Sequence, residues 1–339
     1  MRLGAGTALI GPILPKRSLP TRSGARWVSN GRASPPPAQP GRPPPPAASH
    51  GRPVSAAAVS YYNLASQAIP AMLSATDLDA VRAIAAEAGD AIMEVYAGAF
   101  SVRRKDDASP LTAADLAAHR IITNGLRAEF PDVPVLSEEE SNLAPWQIRK
   151  RWERYFLVDP LDGTKEFVQR NGQFTVNIAF IEGGRPTAGV VRAPASELTY
   201  WGRASGGACK ESAEDGVQSI ACDPVPSCGK VRVIGSRSHS SPATEKFVER
   251  LRARFEEIAF LAVGSSIKIC MVAEGAADIY PRLAPTMEWD TAAAHAVLAA
   301  AGGRLIDHST GRELMYNYKE DLRNRWFIAH GPGWQHETP

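Results

Sequence analysis

The chain has 339 residues, 44% of them hydrophobic, and a formal net charge of +2. That length supports a sizeable core and one to three domains, and no apolar run approaches the ~20 residues of a membrane span. Cys209, Cys222, Cys228 and Cys270 form no C-x-x-C pair and have no His cluster at zinc spacing, so they read as reduced, structural thiols of a reducing, cytoplasmic compartment.

The charge is uneven. No Asp or Glu precedes Asp77, whereas Arg2, Lys16, Arg17, Arg22, Arg26, Arg32, Arg42 and Arg52 do, so the remainder is mildly acidic. Nothing in that remainder shows the clustered Lys and Arg of a nucleic-acid-binding face. Residues 1–71 are rich in Pro, Ala, Gly, Ser and Arg, a composition that cannot bury enough apolar surface to offset ordering entropy, and they read as a disordered extension. Two accounts of it stand: an Arg-rich, acid-free targeting peptide, or a chain whose translation starts at Met72. The globular pattern begins directly after Met72, which favours the second.

Taken in chain order, Thr76-Asp77-Leu78-Asp79 opens a helix with Thr76 as its N-cap, and Val81, Ile84, Ala85, Ala88, Ile92 and Val95 recur at helical spacing. A second helix runs from Thr112 to Phe130 and ends at Pro131. Val133–Leu136 reads as a short buried strand leading to Glu138, and Tyr155–Val158 as another leading to Asp159. Asp162 follows across what Pro160 and Gly163 make a tight turn, and Gly163-Thr164 then starts a helix toward Arg170. Phe174–Ile181 and Pro186–Val191 are strands joined at Gly183-Gly184, and Leu198–Trp201 extends the meander. Beyond this the pattern changes: strand Val231–Ile234, helices Pro242–Phe255, Ile267–Glu274 and Thr291–Ala301, and strand Arg304–Ile306. The expected organisation is an α+β subdomain over 72–225 and a more α/β subdomain over 226–335, divided near Asp223–Gly229.

Glu138, Asp159 and Asp162 gather at strand ends, where a rigid scaffold presents functional groups. Carboxylates placed together repel unless cations sit between them, and hard oxygen ligands select Mg²⁺ over zinc. Free N–H groups at a helix start such as Gly163-Thr164 offer an anion site. Metal ligands beside a phosphate cradle are the parts of two-metal phosphoryl chemistry, with ions about 3.5–4 Å apart. Taken alone, Asp162-Gly163 reads equally well as a plain turn and Asp290 as an ordinary helix cap.

The motifs Asp159-Pro-Leu-Asp-Gly-Thr164 and Glu288-Trp-Asp290-Thr-Ala, with Ser137-Glu138-Glu139 upstream, resemble the inositol monophosphatase superfamily. Within it, the chain is most similar to the CysQ-type 3'(2'),5'-bisphosphate nucleotidases. The residues carrying that likeness are Ser109-Pro-Leu-Thr-Ala-Ala-Asp115, Asp162-Gly-Thr-Lys-Glu-Phe167, Asn171-Gly-Gln-Phe-Thr-Val-Asn177, Ser236-Arg-Ser-His239, Gly264-Ser-Ser-Ile-Lys268 and Tyr280-Pro-Arg282. The resemblance runs from about Asp77 to Phe327. It implies a layered α-β-α-β-α sandwich and a lithium-sensitive, magnesium-dependent phosphatase holding two or three ions.

By the same resemblance Glu138, Asp159, the Leu161 carbonyl, Asp162 and Asp290 would hold Mg²⁺. Thr164, oriented by Asp115, would help deprotonate the attacking water, and the Gly163 and Thr164 amides would bind phosphate. Gly264, Ser265 and Ser266 would lie near the nucleoside, with Lys165, Lys268 and Arg282 as cations for a second phosphate. The expected reaction converts 3'-phosphoadenosine 5'-phosphate to AMP and phosphate, and extends to its sulfated relative. Competing readings are inositol monophosphatase or fructose-1,6-bisphosphatase activity, and a non-catalytic nucleotide- or metal-binding protein. The partner is a small nucleotide, not nucleic acid, and relatives of this type are sometimes placed peripherally at the inner face of the cell membrane. Trp289 reads as core; Glu139 and Glu140 as solvated or supporting neighbours; His119, His239 and His295 as structural.

Overall fold

The computed structural model describes residues 73–99, 101–104, 110–235 and 241–336. The extension before Met72, Met72 itself, Ser109 and the segment Ser236–His239 lie outside the described residues. Every described residue belongs to one compact unit of the chain, Val54–Pro339.

Helix α1 (Ala75–Ala97) starts two residues before the position expected from Thr76. Ser74 is the cap: its Oγ accepts from Asp77 N–H at 3.1 Å while Asp77 Oδ2 accepts from Ser74 N–H at 2.8 Å. That reciprocal box satisfies two otherwise orphaned donors; Thr76, with Asp79 three residues on, offers the same pattern but lies inside the helix. The stripe Leu78, Val81, Ile84, Ala85, Ala88 and Ile92 is buried and packs on helix α2 (Ala113–Glu129), capped by Thr112. A Cβ on Gly125 of α2 would come within 2.9 Å of Ile84, so the two helices meet where one lacks a side chain. A two-stranded antiparallel ladder, β1 (Val102–Arg104) with β2 (Pro110–Thr112), precedes α2.

The first sheet has seven strands in chain order. They are β3 (Val135–Ser137), β4 (Arg154–Asp162), β5 (Thr175–Glu182), β6 (Arg185–Ala193), β7 (Leu198–Arg203), β8 (Gly207–Ser212) and β9 (Gly216–Ile220). Only β3–β4 is a parallel pair. Short helices α3 (Trp146–Arg149) and α4 (Thr164–Val168) interrupt it. The second sheet runs in the order β11-β10-β12-β14-β13. Its strands are β10 (Lys230–Gly235), β11 (Glu257–Ala262), β12 (Ile279–Arg282), β13 (Arg304–Asp307) and β14 (Phe327–His330), with helices α5 (Pro242–Arg252), α6 (Ile267–Ala273) and α7 (Ala292–Ala300) between them.

Period-two alternation distributes β4 between two cores. Phe156 and Val158 join α1 and α2, whereas Tyr155 and Leu157 join α6 and α7 on the other face. Leu305, Phe327 and Ala329 of the second sheet enter that same middle core, while Val231, Val233, Ile306 and Ile328 pack against Phe247 and Leu251 of α5. The layers are therefore helix pair, sheet, helix pair, sheet, helix, the arrangement the motifs implied. No described helix is long and apolar enough to cross a membrane.

The middle layer leaves no room at two glycines. A Cβ on Gly189 would lie 2.4 Å from Ala293 O, and one on Gly202 would lie 2.9 Å from Val297 Cα. Because the obstruction is helix backbone, Gly189→Ala is expected to cost about 3 kcal/mol through overpacking. For a fold of this size that lowers Tm by roughly 5–10 °C; a melting curve within about 2 °C of the parent would show that α7 yields.

Candidate active site

The carboxylates come from three separated stretches. Ser137 ends β3, and the Glu138 N–H donates to Val158 O at 3.1 Å, which seats Glu138 beside β4. The chain from Asp159 to Asp162 does not form the expected tight turn. It continues β4, pairing Asp159 with Asn177 and Asp162 with Thr175 across a register irregularity. The reversal comes one residue later at Gly163, whose φ of 88° and close approach to Gln173 O (2.9 Å from an added Cβ) admit only glycine. Asp290 precedes α7. It does not cap the helix: Thr291 holds that position, and Asp290 Oδ2 instead accepts from Met287 N–H at 2.9 Å.

Glu138, Asp159 and Asp290 each offer a carboxylate oxygen, and these oxygens lie within 4.8 Å of one another. Asp162 stands outside that trio, its Oδ2 taken by Ser266 N–H at 2.5 Å. Burial, then the charges of Asp162 and Glu138, push the Asp290 carboxyl well above the usual carboxylate range. Burial also raises Asp162, against the opposing pull of Lys268 and Ser266 N–H. A converging set of like charges, buried or half-buried and with oxygen donors only, is what a small hard cation neutralises.

Thr164 opens α4. Its hydroxyl lies 3.2 Å from Asp115 Oδ1 and 3.3 Å from Leu161 O. Asp115 is 1% exposed, and its other oxygen accepts from Thr112 N–H and Oγ1 at 2.8 and 2.6 Å. One carboxylate thus fixes the start of α2 and faces Thr164.

A cleft opens beside these groups, bounded by Asp162, Gly163, Asp290 and the loop Gly264–Ser266, with Lys268 and Arg282 in its wall. Lys268 is buried; burial lowers its pKa to about 8 despite the attraction of Asp162, and its Nζ donates to Ser265 O. Lys165 is exposed and not part of the cleft lining; its neighbour Glu166 is. Tyr280, Thr286 and Phe327 complete the wall, and Gln173 Oε1 holds Gly264 N–H at 2.8 Å. None of these five was named as a site residue from the sequence, although Glu166, Gln173 and Tyr280 lie within the motifs that carry the resemblance. A more open hollow lined by Asp79, Arg82, Arg192 and Glu211 shares no residue with the cleft.

The neighbours are structural in their contacts. Trp289 is buried in the middle core. Glu288 is also buried, which raises its carboxyl to about 7, and its Oε2 accepts from Asn317 N–H at 2.7 Å, anchoring the Asp290 loop. Glu140 meets Arg127 at 3.4 Å, His119 contacts Ser137 Oγ, and His295 lies between Tyr316 and Glu313.

Layered sandwich, convergent acids and cleft together define a phosphatase of one class, and the chain belongs to the inositol monophosphatase family, whose model matches residues 74–337. Among curated relatives, the 3'(2'),5'-bisphosphate nucleotidase CysQ of Salmonella typhimurium is 47% identical over 252 residues, 74% of this chain and 98% of that protein. The CysQ of Escherichia coli K12 is 48% identical over the same spans. The solved CysQ of Bacteroides thetaiotaomicron aligns with a TM-score of 0.64 at 40% identity, covering 76% of this chain and 97% of that one. The inositol monophosphatase of Thermotoga maritima gives 0.57 at 25%, covering 75% and 92%.

Proposed function

We propose that this chain hydrolyses the 3'-phosphate of 3'-phosphoadenosine 5'-phosphate, releasing AMP and phosphate, with magnesium held by Glu138, Asp159, the Leu161 carbonyl, Asp162 and Asp290. The observation that carries the reading is the approach of Glu138, Asp159 and Asp290 to within 4.8 Å from three distant parts of the sequence. The donor set suits Mg²⁺: carboxylates, buried at Asp159 and half-buried at Glu138, Asp162 and Asp290, and a carbonyl, with no thiol or imidazole among them. Two or three ions fit the number of donors. Mg²⁺ bound there supplies Lewis-acid activation of the attacking water and charge stabilisation of the leaving oxygen.

The residues themselves do the rest. Thr164 stands where it can take a proton from water, provided its own proton passes to Asp115 Oδ1. A neutral hydroxyl is too weak a base alone, so Asp115 is the final acceptor. The backbone N–H groups of Gly163 and Thr164 orient the scissile phosphate. Lys268 and Arg282, on the far wall of the cleft, supply the positive charge that a second phosphate demands; Gly264–Ser266 borders the nucleoside.

The test is phosphate release from 3'-phosphoadenosine 5'-phosphate, its sulfated relative, inositol monophosphate and fructose 1,6-bisphosphate, each with and without EDTA. The bisphosphorylated nucleotide is expected to give the highest kcat/KM by about tenfold or more, since each paired charge contributes on the order of 1.5–3 kcal/mol. EDTA should abolish turnover and added Mg²⁺ restore it. Inositol monophosphate as the best substrate, or full activity after chelation, would refute the assignment.

A further inference from the structure

Asp162 is tied to the opposite side of the cleft by a chain of side chains that no catalytic step uses. Its Oδ2 accepts from Ser266 N–H at 2.5 Å and lies 3.4 Å from Thr175 Oγ1. Thr175 Oγ1 in turn meets Ser266 Oγ at 2.8 Å, and Ser266 Oγ meets the Asn177 side-chain amide at 2.9 Å. Ser266, Thr175 and Asn177 are 5%, 0% and 1% exposed, so water does not compete for these contacts. The residues come from β5 and from the loop before α6, with 91 positions between Thr175 and Ser266.

Proton counting orients the chain. A hydroxyl has one hydrogen. With Asn177 Oδ1 facing Ser266, the Ser266 proton goes to Asn177, the Thr175 proton goes to Ser266, and Asp162 receives none from Thr175. In that arrangement Asn177 Nδ2 is buried without an acceptor, a costly state for an amide donor. Turning the amide by half a rotation puts Nδ2 on Ser266 Oγ. The protons then run Asn177 to Ser266, Ser266 to Thr175 and Thr175 to Asp162 Oδ2, and each donor strengthens the next along the chain. Asp162 Oδ2 thereby receives two donors, while Oδ1 accepts no hydrogen bond among the described residues.

We propose that Thr175 is a positioning residue which, through the relay Asn177–Ser266–Thr175, pins Asp162 Oδ2 and leaves Oδ1 to the cation. Because Ser266 belongs to the loop that borders the nucleoside, the relay also ties cation affinity to the conformation of that loop. This rests on the reading that Asp162 is a magnesium ligand. Partners that orient a metal ligand typically govern metal affinity by about 10- to 100-fold.

The test is the Mg²⁺ concentration at the midpoint of the Mg²⁺-induced rise in Tm, confirmed by titration calorimetry on the full chain, with phosphate release measured alongside. Thr175→Val keeps the shape and removes the hydroxyl; it is expected to raise the midpoint about 10- to 100-fold. Thr175→Ser restores the hydroxyl and should stay within about threefold of the parent, a rescue that a purely packing role would not give. Ser266→Ala keeps both direct donors to Asp162 Oδ2, its own N–H and the Thr175 hydroxyl, and removes only the group that orients Thr175, so it should raise the midpoint less than Thr175→Val does. The double variant should be no worse than Thr175→Val alone, since the Ser266 hydroxyl acts on Asp162 only through Thr175. A Thr175→Val midpoint within about twofold of the parent overturns the proposal. If that variant does not fold, Thr175→Ala decides by the same criterion. Absence of any Mg²⁺ effect on the parent would instead sink the cation reading itself, and the relay with it.

Discussion

Replacing Asp290 with Asn is expected to abolish turnover while making the metal-free protein harder to melt. Loss of water around Asp290, and then the charges of Asp162 and Glu138 beside it, raise its carboxyl far above the ordinary range. At an effective dielectric of about 20, two carboxylates roughly 4–5 Å apart repel by roughly 3–4 kcal/mol. Metal-free protein carries that repulsion whenever Asp290 is ionised. The sign follows from the raised pKa: the penalty is absent at acid pH, where Asp290 is protonated in both states. It grows as pH rises above the unfolded-state value, and is full once pH exceeds the folded one. Asn is nearly isosteric and keeps an oxygen for Met287 N–H, so the substitution removes charge without opening a cavity. A gain of about 3–6 °C in Tm at neutral pH without metal is the expected outcome. Phosphate release should fall by about a thousandfold or more, because the cation's share of transition-state stabilisation is several kcal/mol, and the Mg²⁺-induced rise in Tm should shrink. Turnover within about tenfold of the parent would remove Asp290 from the site.

Much of the catalytic face was legible because its parts are local. Tyr155–Val158 followed by two acids and a glycine reads as a strand delivering carboxylates, and so it does. The turn between Asp159 and Asp162 was misread because Pro160 and Gly163 both favour reversal, yet irregular pairing with β5 keeps this stretch extended as far as Asp162. The start of α1 was displaced because Ser74 and Thr76 are both good caps, each with an Asp three residues beyond it, Asp77 and Asp79, so the local sequence does not choose between them. Strands β8 and β9 escaped notice because they close the sheet at the β9 edge and only Ala208 among their side chains is buried, leaving no apolar alternation to read. No strand was named at β12, where Pro281 cannot donate to a ladder. The proline is tolerated because β10 pairs with β12 only at Ile279, so no N–H is needed on that side further along. The relay from Asn177 to Asp162 was invisible for a different reason. Its members are common polar residues, and nothing in the sequence reports that Ser266 folds back onto β5.

The second large effect concerns the residue that faces Thr164. Asp115→Asn is expected to lower kcat by about 10²- to 10⁴-fold, the usual contribution of a positioned proton acceptor, with little change in Mg²⁺ affinity. In the parent, Asp115 Oδ2 is committed to Thr112 N–H and Oγ1, which leaves Oδ1 as the oxygen for the Thr164 hydroxyl. An asparagine at this position must keep its oxygen toward Thr112, because the backbone N–H there can only donate. Its NH₂ then points at Thr164 and reverses the polarity of that contact: the Thr164 hydroxyl accepts from the introduced amide and can no longer pass a proton on. The N-terminal box of α2 survives, so a loss of activity cannot be put down to a melted helix. Thr164→Val should produce a similar loss, Thr164→Ser should recover most of the rate, and Asp115→Asn combined with Thr164→Val should be little worse than either alone, as expected of groups that act as one unit. Should the two single losses multiply instead, Asp115 and Thr164 act separately, and the proton from water must leave by a route that does not pass through Asp115.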